Sequence, residues 1–279
     1  MPELPEVQAH AERLSAQFAT ARLARFVPLT FTALKTAVPR PDAAYGLPLV
    51  EVDRRGKYLL LRFEPVTFVV HLMQGGRLLV DTKLSPKPRN GQARFLFDEP
   101  PALLLTEAGT ERRAGVWCVA SDVALTSLPL SRLGPEAIDV TVDELAARFA
   151  DHNMRIHGFL RDQHMIAGLG RRLANEVCHR ARLSPFAMTR KLGVDGAAKV
   201  VEAIRSTVDE GLAYERTRPD MSASADRPGA VHGRVGEVCP VCDDTIRAVE
   251  YSGYTVAYCP TCQTDGKVLA DNTTSRFLK

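Results

Sequence analysis

The chain is poor in aromatic residues, at 6% with a single tryptophan, and its six cysteines among 279 residues are too few for a disulfide-stapled secreted scaffold. No apolar run is long enough to span a bilayer, and the N-terminus lacks the apolar stretch of a signal peptide. The expectation is a cytoplasmic protein with no membrane partner. Neither sign of charge dominates: 36 Lys and Arg stand against 33 Asp and Glu, and the net +3 does not by itself suggest a polyanionic partner. What remains, 45% hydrophobic and 25% charged, is ordinary for a globular protein and long enough for two domains.

The distribution of charge is more telling than its sum. Between Leu145 and Lys191 nine basic residues face three acidic ones, twice the excess of the whole chain, and four of the seven histidines lie there. Such a field attracts polyanions by releasing their counterions, although a solvated helix face has the same composition.

Met1-Pro2-Glu3-Leu4-Pro5-Glu6 opens the chain. If Met1 is removed, Pro2 presents a secondary amine, which no side chain offers, directly beside the carboxylate of Glu3. A secondary amine adds to a masked aldehyde and loses water to give an iminium cation, which is Schiff-base covalent catalysis. The plainer reading is that Pro2 and Pro5 only start a helix. Val7, Ala11, Leu14 and Phe18 then recur at helical spacing, so a buried helix is expected to fix its own beginning, with the amine at the positive end of its dipole.

From Leu47 to Ala120 the sequence reads as seven short strands, at 47–52, 57–63, 67–72, 77–80, 93–97, 102–106 and 115–120, separated by turn-rich breaks. With one early helix, this predicts an antiparallel sandwich or barrel. The Pro- and Gly-containing stretch from Leu128 to Thr141 reads as a linker. Helices are expected at 142–150, 156–162, 171–182, where Pro185 would stop the chain, and from about Asp195 to Glu215. Gly168-Leu169-Gly170 supplies a turn between the second and third, and Arg216 to Gly236 is aperiodic and reads as a mobile loop.

Cys239-Pro240-Val241-Cys242 and Cys259-Pro260-Thr261-Cys262 are two C-P-x-C knuckles with sixteen residues between them. Four thiolates at this spacing predict one tetrahedral structural Zn2+ on a pair of hairpins, and two disulfides are the less favoured alternative in a chain without secretion signals. Cys118 and Cys178 read as small buried hydrophobes.

Taken in order, these features resemble the formamidopyrimidine-DNA glycosylase and endonuclease VIII family of base-excision repair enzymes. Met1 to Val7 is similar to the family's N-terminal signature, Arg55-Gly56-Lys57-Tyr58-Leu59 to its lysine-bearing turn, and His71 to Leu78 to its His-Leu segment. Leu133-Gly134-Pro135-Glu136 resembles its interdomain linker, Asp162 to Glu176 its helix-two-turn-helix motif, and Gly233 to Gln263 its zinc finger. The resemblance implies an α+β fold. An N-terminal antiparallel β-sandwich with an N-terminal helix at 1–130 and a linker at 131–141 would precede a helix-two-turn-helix DNA-binding domain at 142–235 with a mobile loop at 216–235. A zinc-ribbon β-hairpin at 236–265 and a C-terminal extension at 266–279 would follow.

It also implies a DNA glycosylase with AP lyase activity that flips a damaged nucleotide, displaces its base with Pro2 and cleaves the strand by β-elimination. Pro2, Glu3 and Lys57 would be catalytic; His71, Met73, Gln74, Arg113, Arg171, Asn175 and Tyr254 would contact DNA, with Glu176 beside Asn175. Several positions depart from the family pattern. Arg171 replaces a phosphate-binding asparagine, and Tyr254 replaces the arginine of the zinc hairpin associated with δ-elimination. Gln74 and Ala114 replace two of the side chains that fill the space left by the flipped base, with Met73 as a substitute and Arg113 retained. The expected partner is damaged DNA, oxidised, bulky or crosslinked, preferentially single-stranded or distorted, and the expected state is a monomer. The altered contacts leave one alternative of a different class: a non-catalytic, zinc-containing damaged-DNA-binding protein on the same scaffold.

Overall fold

The computed structural model describes residues 1–109, 111–221, 226–251 and 253–269. The chain divides into two compact units, Met1–Leu133 with Glu215–Ala223, and Gly134–Tyr214 with Ser224–Lys279. The division falls inside the Pro- and Gly-containing stretch read as a linker.

The first unit begins with α1 (Leu4–Phe18), whose positions Val7, Ala11, Leu14 and Phe18 are all buried, as their spacing predicts. Eight strands follow: β1 (Leu23–Pro28), β2 (Glu51–Arg55), β3 (Tyr58–Phe63), β4 (Val66–His71), β5 (Gly76–Asp81), β6 (Gly91–Phe97), β7 (Ala102–Glu107) and β8 (Gly115–Ala120). They form two four-stranded antiparallel sheets, ordered β1-β6-β7-β5 and β2-β3-β4-β8. Side chains of both sheets enclose one core. Phe26, Phe68 and Phe95 meet there with ring centroids 5.0 to 5.5 Å apart, close enough for edge and offset stacking. The first sheet-forming segment, β1, has no counterpart among the seven expected strands, because a register shift between Leu23 and Arg25 breaks its alternation. The strand expected at 47–52 lies instead at Glu51–Arg55, a polar run that owes its extended form to pairing with the buried β3.

In the second unit, Thr141 caps α2 (Val142–Asp151) through a reciprocal capping box with Glu144: Thr141 Oγ1 accepts from Glu144 N–H at 3.2 Å, and Glu144 Oε2 accepts from Thr141 N–H at 3.0 Å. Next come α3 (Ile156–Arg161), α4 (Arg171–Arg180) and α5 (Gly193–Arg216). The turn between α3 and α4 is closed by the Gln163 amide, which donates to Leu169 O at 2.7 Å and accepts from Gly168 N–H at 3.0 Å. Helix α4 ends at Arg180, ahead of Pro185; Arg182 already adopts a left-handed φ of 54°, so the backbone has turned away before the proline.

One hairpin, β9 (Arg247–Tyr251) with β10 (Tyr254–Tyr258), is followed by the short α6 (Pro260–Thr264). The other expected hairpin is reduced to an isolated bridge between Val238 and Thr245. Of the stretch read as a mobile loop, residues 222–225 lie outside the described residues, as do 270–279 of the C-terminal extension. Residues 227, 228 and 230–232 of that stretch are hydrogen-bonded to side chains of α4. Among the described residues, no helix is long and apolar enough to cross a membrane.

Candidate active site and zinc centre

The start of α1 is set by two buried carboxylates. Glu3 is the N-cap and Pro5 lies in the first turn. Glu3's side chain accepts from the backbone of Glu6, and Glu6 Oε2 accepts from Glu3 N–H at 2.8 Å. Glu3 is 4% exposed and Glu6 fully buried, so this capping box is part of the core and the position of Pro2, one residue upstream and itself buried, is inherited from it. The α-amine of Met1 is held below its ordinary pKa. Burial is the main cause, opposed by the Glu3 carboxylate and reinforced by the charges of Arg77 and Lys57.

Lys57 lies just after the β2–β3 turn, where Gly56 takes the left-handed φ of 58° that the turn requires. It is not an exposed turn lysine: only 4% of it is accessible. Its charge acts on both the Met1 amine and His71, the last residue of β4, so the four groups Met1, Lys57, Arg77 and His71 share one electrostatic neighbourhood. Burial, helped by Lys57, lowers His71 to a pKa of about 4, which leaves its imidazole neutral at pH 7. Its ring packs on Tyr58 with centroids 4.4 Å apart.

The tight turn after His71 sorts the next side chains. A Cβ on Gly76 would come within 1.9 Å of the Leu72 carbonyl oxygen, so the turn closes only with glycine there. Met73, with a φ of 53°, folds back against the sandwich core and places its sulfur 2.7 Å from His71 Nδ1. Its side chain is partly buried there. Gln74 is exposed. Arg113 is also exposed and pairs with Glu111 at 3.2 Å. Ala114 is buried in the core, its N–H donating to Glu107 Oε2 at 2.6 Å.

In the second unit, Arg171 is the exposed first residue of α4 and donates from Nη1 to Gly253 O at 3.1 Å. Asn175 is fully buried, and its amide Nδ2 faces His232 Nδ1 at 2.8 Å. Glu176 accepts three backbone N–H groups in succession, from Ala230 at 2.7 Å, Val231 at 3.1 Å and His232 at 2.8 Å. Buried Arg172 donates to Arg227 O, and to Pro228 O at 2.8 Å. Tyr254 stands opposite Tyr251 across the hairpin, their rings nearly parallel at 9° with centroids 4.9 Å apart. The guanidinium of Arg161 lies 4.1 Å over the Tyr254 ring.

All six cysteines are free thiols. The sulfurs of Cys239, Cys242, Cys259 and Cys262 approach one another at 3.3 to 3.9 Å, too far for disulfides and near the edge of about 3.8 Å of a tetrahedron with Zn–S bonds of about 2.3 Å. His179 Nε2 lies 3.4 Å from Cys239 Sγ, and its donor atom falls within 4.8 Å of those of Cys239, Cys259 and Cys262. With each of the four sulfurs within 3.9 Å of another, His179 is placed to donate its ring N–H to the Cys239 thiolate, which fixes ligand orientation. The donor set fits a structural Zn2+.

Arg77, Arg172, His179 and His232 thus join the sites without having been named as candidates, and Glu6, quoted only as part of the opening motif, gains a role. No local pattern marks them: each acts through partners distant in sequence or through a buried cap.

Comparison with known proteins agrees along the chain. Residues 1–117 match the formamidopyrimidine-DNA glycosylase N-terminal domain, residues 133–222 its H2TH domain, and residues 236–264 the zinc finger found in FPG and IleRS. A formamidopyrimidine-DNA glycosylase of Pelotomaculum thermopropionicum is 30% identical over 283 residues, covering 94% of this chain and 99% of that protein. An uncharacterized formamidopyrimidine-DNA glycosylase-like protein of Mycobacterium tuberculosis is 42% identical over 156 residues, which is 53% of this chain and 94% of the relative. The crystal structure of Lactococcus lactis formamidopyrimidine-DNA glycosylase, bound non-covalently to DNA containing an AP site, has the same fold: TM-score 0.83 at 20% identity, over 94% of this chain and 99% of that one. On these grounds the chain belongs to the formamidopyrimidine-DNA glycosylase family.

Proposed function

We propose that this chain is a DNA glycosylase and AP lyase that works through a Schiff base on Pro2, acting on damaged DNA in the cytoplasm. The observation that carries the reading is the buried start of α1, where Pro2 lies between the Met1 amine, whose pKa is lowered, and the Glu3 carboxylate, within the field of Lys57 and Arg77. After removal of Met1, the neutral Pro2 nitrogen forms a bond to C1′ of the flipped nucleotide, and the damaged base leaves with the electrons of its glycosidic bond and takes up a proton. The Pro2 N–H proton passes to the Glu3 carboxylate and from it to O4′ as the C1′–O4′ bond opens, and the lone pair so freed on nitrogen forms the iminium. Loss of a 2′ proton to the site pushes electrons into a C2′=C3′ double bond and expels the 3′ phosphate. Water hydrolyses the iminium and returns Pro2.

Burial first, then Arg77 and Lys57, disfavour a positive charge at the start of the chain, as the lowered Met1 amine shows, and the two cations attract the phosphates flanking the lesion. A neutral His71 can accept or donate one hydrogen bond without adding charge. The four cysteines would hold a Zn2+ that braces the hairpin.

The reading extends to the state of the substrate. Flipping a base from a duplex costs a few kcal/mol, least where it is already unpaired. With Met73 partly buried against the core and Ala114 buried, Gln74 and Arg113 are the exposed side chains among these four positions. Lesions in single strands, bubbles or helix-distorting adducts are the favoured substrates.

Borohydride trapping on an oligonucleotide with one abasic site tests the chemistry. A covalent adduct with the native protein and none with Pro2→Gly is the expected result. Tight binding without an adduct would make the chain a non-catalytic damage binder.

A further inference from the structure

Three arginines from three places in the second unit converge on the turn of the β9–β10 hairpin. Arg155, the N-cap of α3, donates from Nη1 to the Tyr251 hydroxyl at 2.6 Å, and its guanidinium carbon lies 5.2 Å from the centre of the Phe186 ring. Arg161, at the end of α3, covers Tyr254 at 4.1 Å. Arg171, at the start of α4, reaches the carbonyl of Gly253. Between them runs a set of stacked rings, Phe186 to Tyr251 at 6.1 Å and Tyr251 to Tyr254 at 4.9 Å, the second pair inclined by only 9°.

Every one of these contacts is to a neutral acceptor or a ring face. Among the described residues, none of the three guanidiniums has a carboxylate within ion-pair distance, whereas Arg62, Arg94, Arg180, Arg216 and Arg234 each have one. A guanidinium has five N–H donors, and one contact leaves most of them unused. Like charges gathered on one turn repel, and the arrangement is relieved by an anion that takes the remaining donors in pairs. Arg155 and Arg171 are exposed and Arg161 is half-exposed, so such an anion has access. Buried His157 reports the same field: burial first, then Arg161, lowers its pKa to about 4.

We infer that Arg155, Arg161 and Arg171 form a phosphodiester-binding cradle on the hairpin turn, with Tyr251 and Tyr254 as the platform that positions the guanidiniums rather than as DNA contacts themselves. The occupant is the backbone of the DNA strand, so the inference rests on the DNA reading above. It assigns the anion-binding work of this hairpin to α3 and α4, and gives Tyr254 a supporting role.

The test measures affinity for an abasic-site oligonucleotide as a function of salt, with zinc content and melting temperature as folding controls. Arg161→Ala is expected to weaken binding about tenfold and to reduce the slope of log K against log salt by about one, the signature of one lost phosphate contact. Tyr254→Phe keeps the ring and should match the native protein, while Tyr254→Leu removes the platform and should resemble Arg161→Ala. Arg161→Lys keeps the charge but not the planar stack, and should fall between. Native affinity and native salt slope in a folded Arg161→Ala would overturn the inference, and so would a loss on Tyr254→Phe equal to that on Tyr254→Leu, which would make the hydroxyl the contact. Borohydride trapping at saturating DNA separates the two readings: a native protein that traps while Arg161→Ala binds unchanged loses only the cradle, whereas a native protein that never traps loses the lyase.

Discussion

His10 Nε2 lies 2.7 Å from the carbonyl oxygen of Leu78, and this contact ties α1 to β5, the strand that carries Arg77. Burial lowers the pKa of His10 to about 4, only partly offset by its bond to Leu78, and His71 is lowered to the same value, also chiefly by burial. In the unfolded chain both titrate near 6.5. Between these limits the unfolded state binds more protons than the folded one, so the stability present above pH 6.5 is lost as the pH falls toward 4. Each group makes the loss steeper by up to about 1.4 kcal/mol per pH unit. Melting temperature against pH should show a marked decline across this window, and His10→Gln should make it shallower.

The capping box of Glu3 and Glu6 makes a separate prediction. Glu6→Ala removes the acceptor for Glu3 N–H and should cost about 1–2 kcal/mol of stability, as cap deletions do. It should also reduce adduct yield in borohydride trapping, because Pro2 loses its fixed approach. Glu6→Gln retains an acceptor oxygen and should preserve more of both. Equal trapping by native protein and Glu6→Ala would show that the cap does not set the amine.

Zinc removal should act on one unit only. The four cysteines and His179 all belong to the second unit, whereas the sandwich core is built from residues of the first. Chelation is expected to abolish DNA binding in a titration while the β-sheet signal in circular dichroism persists. Unchanged affinity after metal loss would separate the hairpin from the DNA interface.

Ala114→Phe is expected to behave as a core lesion. The alanine is 1% exposed and its N–H is held by Glu107, so a phenyl ring must either overpack the core, at about 1–3 kcal/mol, or break that bond to turn outward. A fall in melting temperature without faster cleavage of fully paired DNA is the expected outcome. Faster duplex cleavage at native stability would mean that the ring does turn outward and serves as a wedge.

What the sequence made legible was what is written locally. Val7, Ala11, Leu14 and Phe18 announce α1 by period alone, and the four zinc cysteines announce themselves by spacing. The strands from β3 to β8 follow from apolar runs between turns. What was hidden depends on partners far along the chain: His10 finds Leu78 at a separation of 68 residues, and Glu176 finds Val231 at 55. Lys57 is named from the resemblance alone; its burial, at 4% exposed, is not written in the residues of its turn. Tyr254 read as a lost arginine; that Arg161 lies over its ring follows only from the way α3 and the hairpin pack.

Helix α4 carries Arg171 at its first residue, Glu176 in the middle and His179 near its end. Eight residues at about 1.5 Å each put roughly 12 Å of rigid rod between the guanidinium and the imidazole that faces the zinc ligands. The metal and the hairpin turn are therefore gauged against each other by a single strut, with Glu176 pinning residues 230–232 to its midpoint. Wear at any one of these fastenings, a thiolate oxidised or a carboxylate lost, slackens the other two, so this part of the protein fails as a whole.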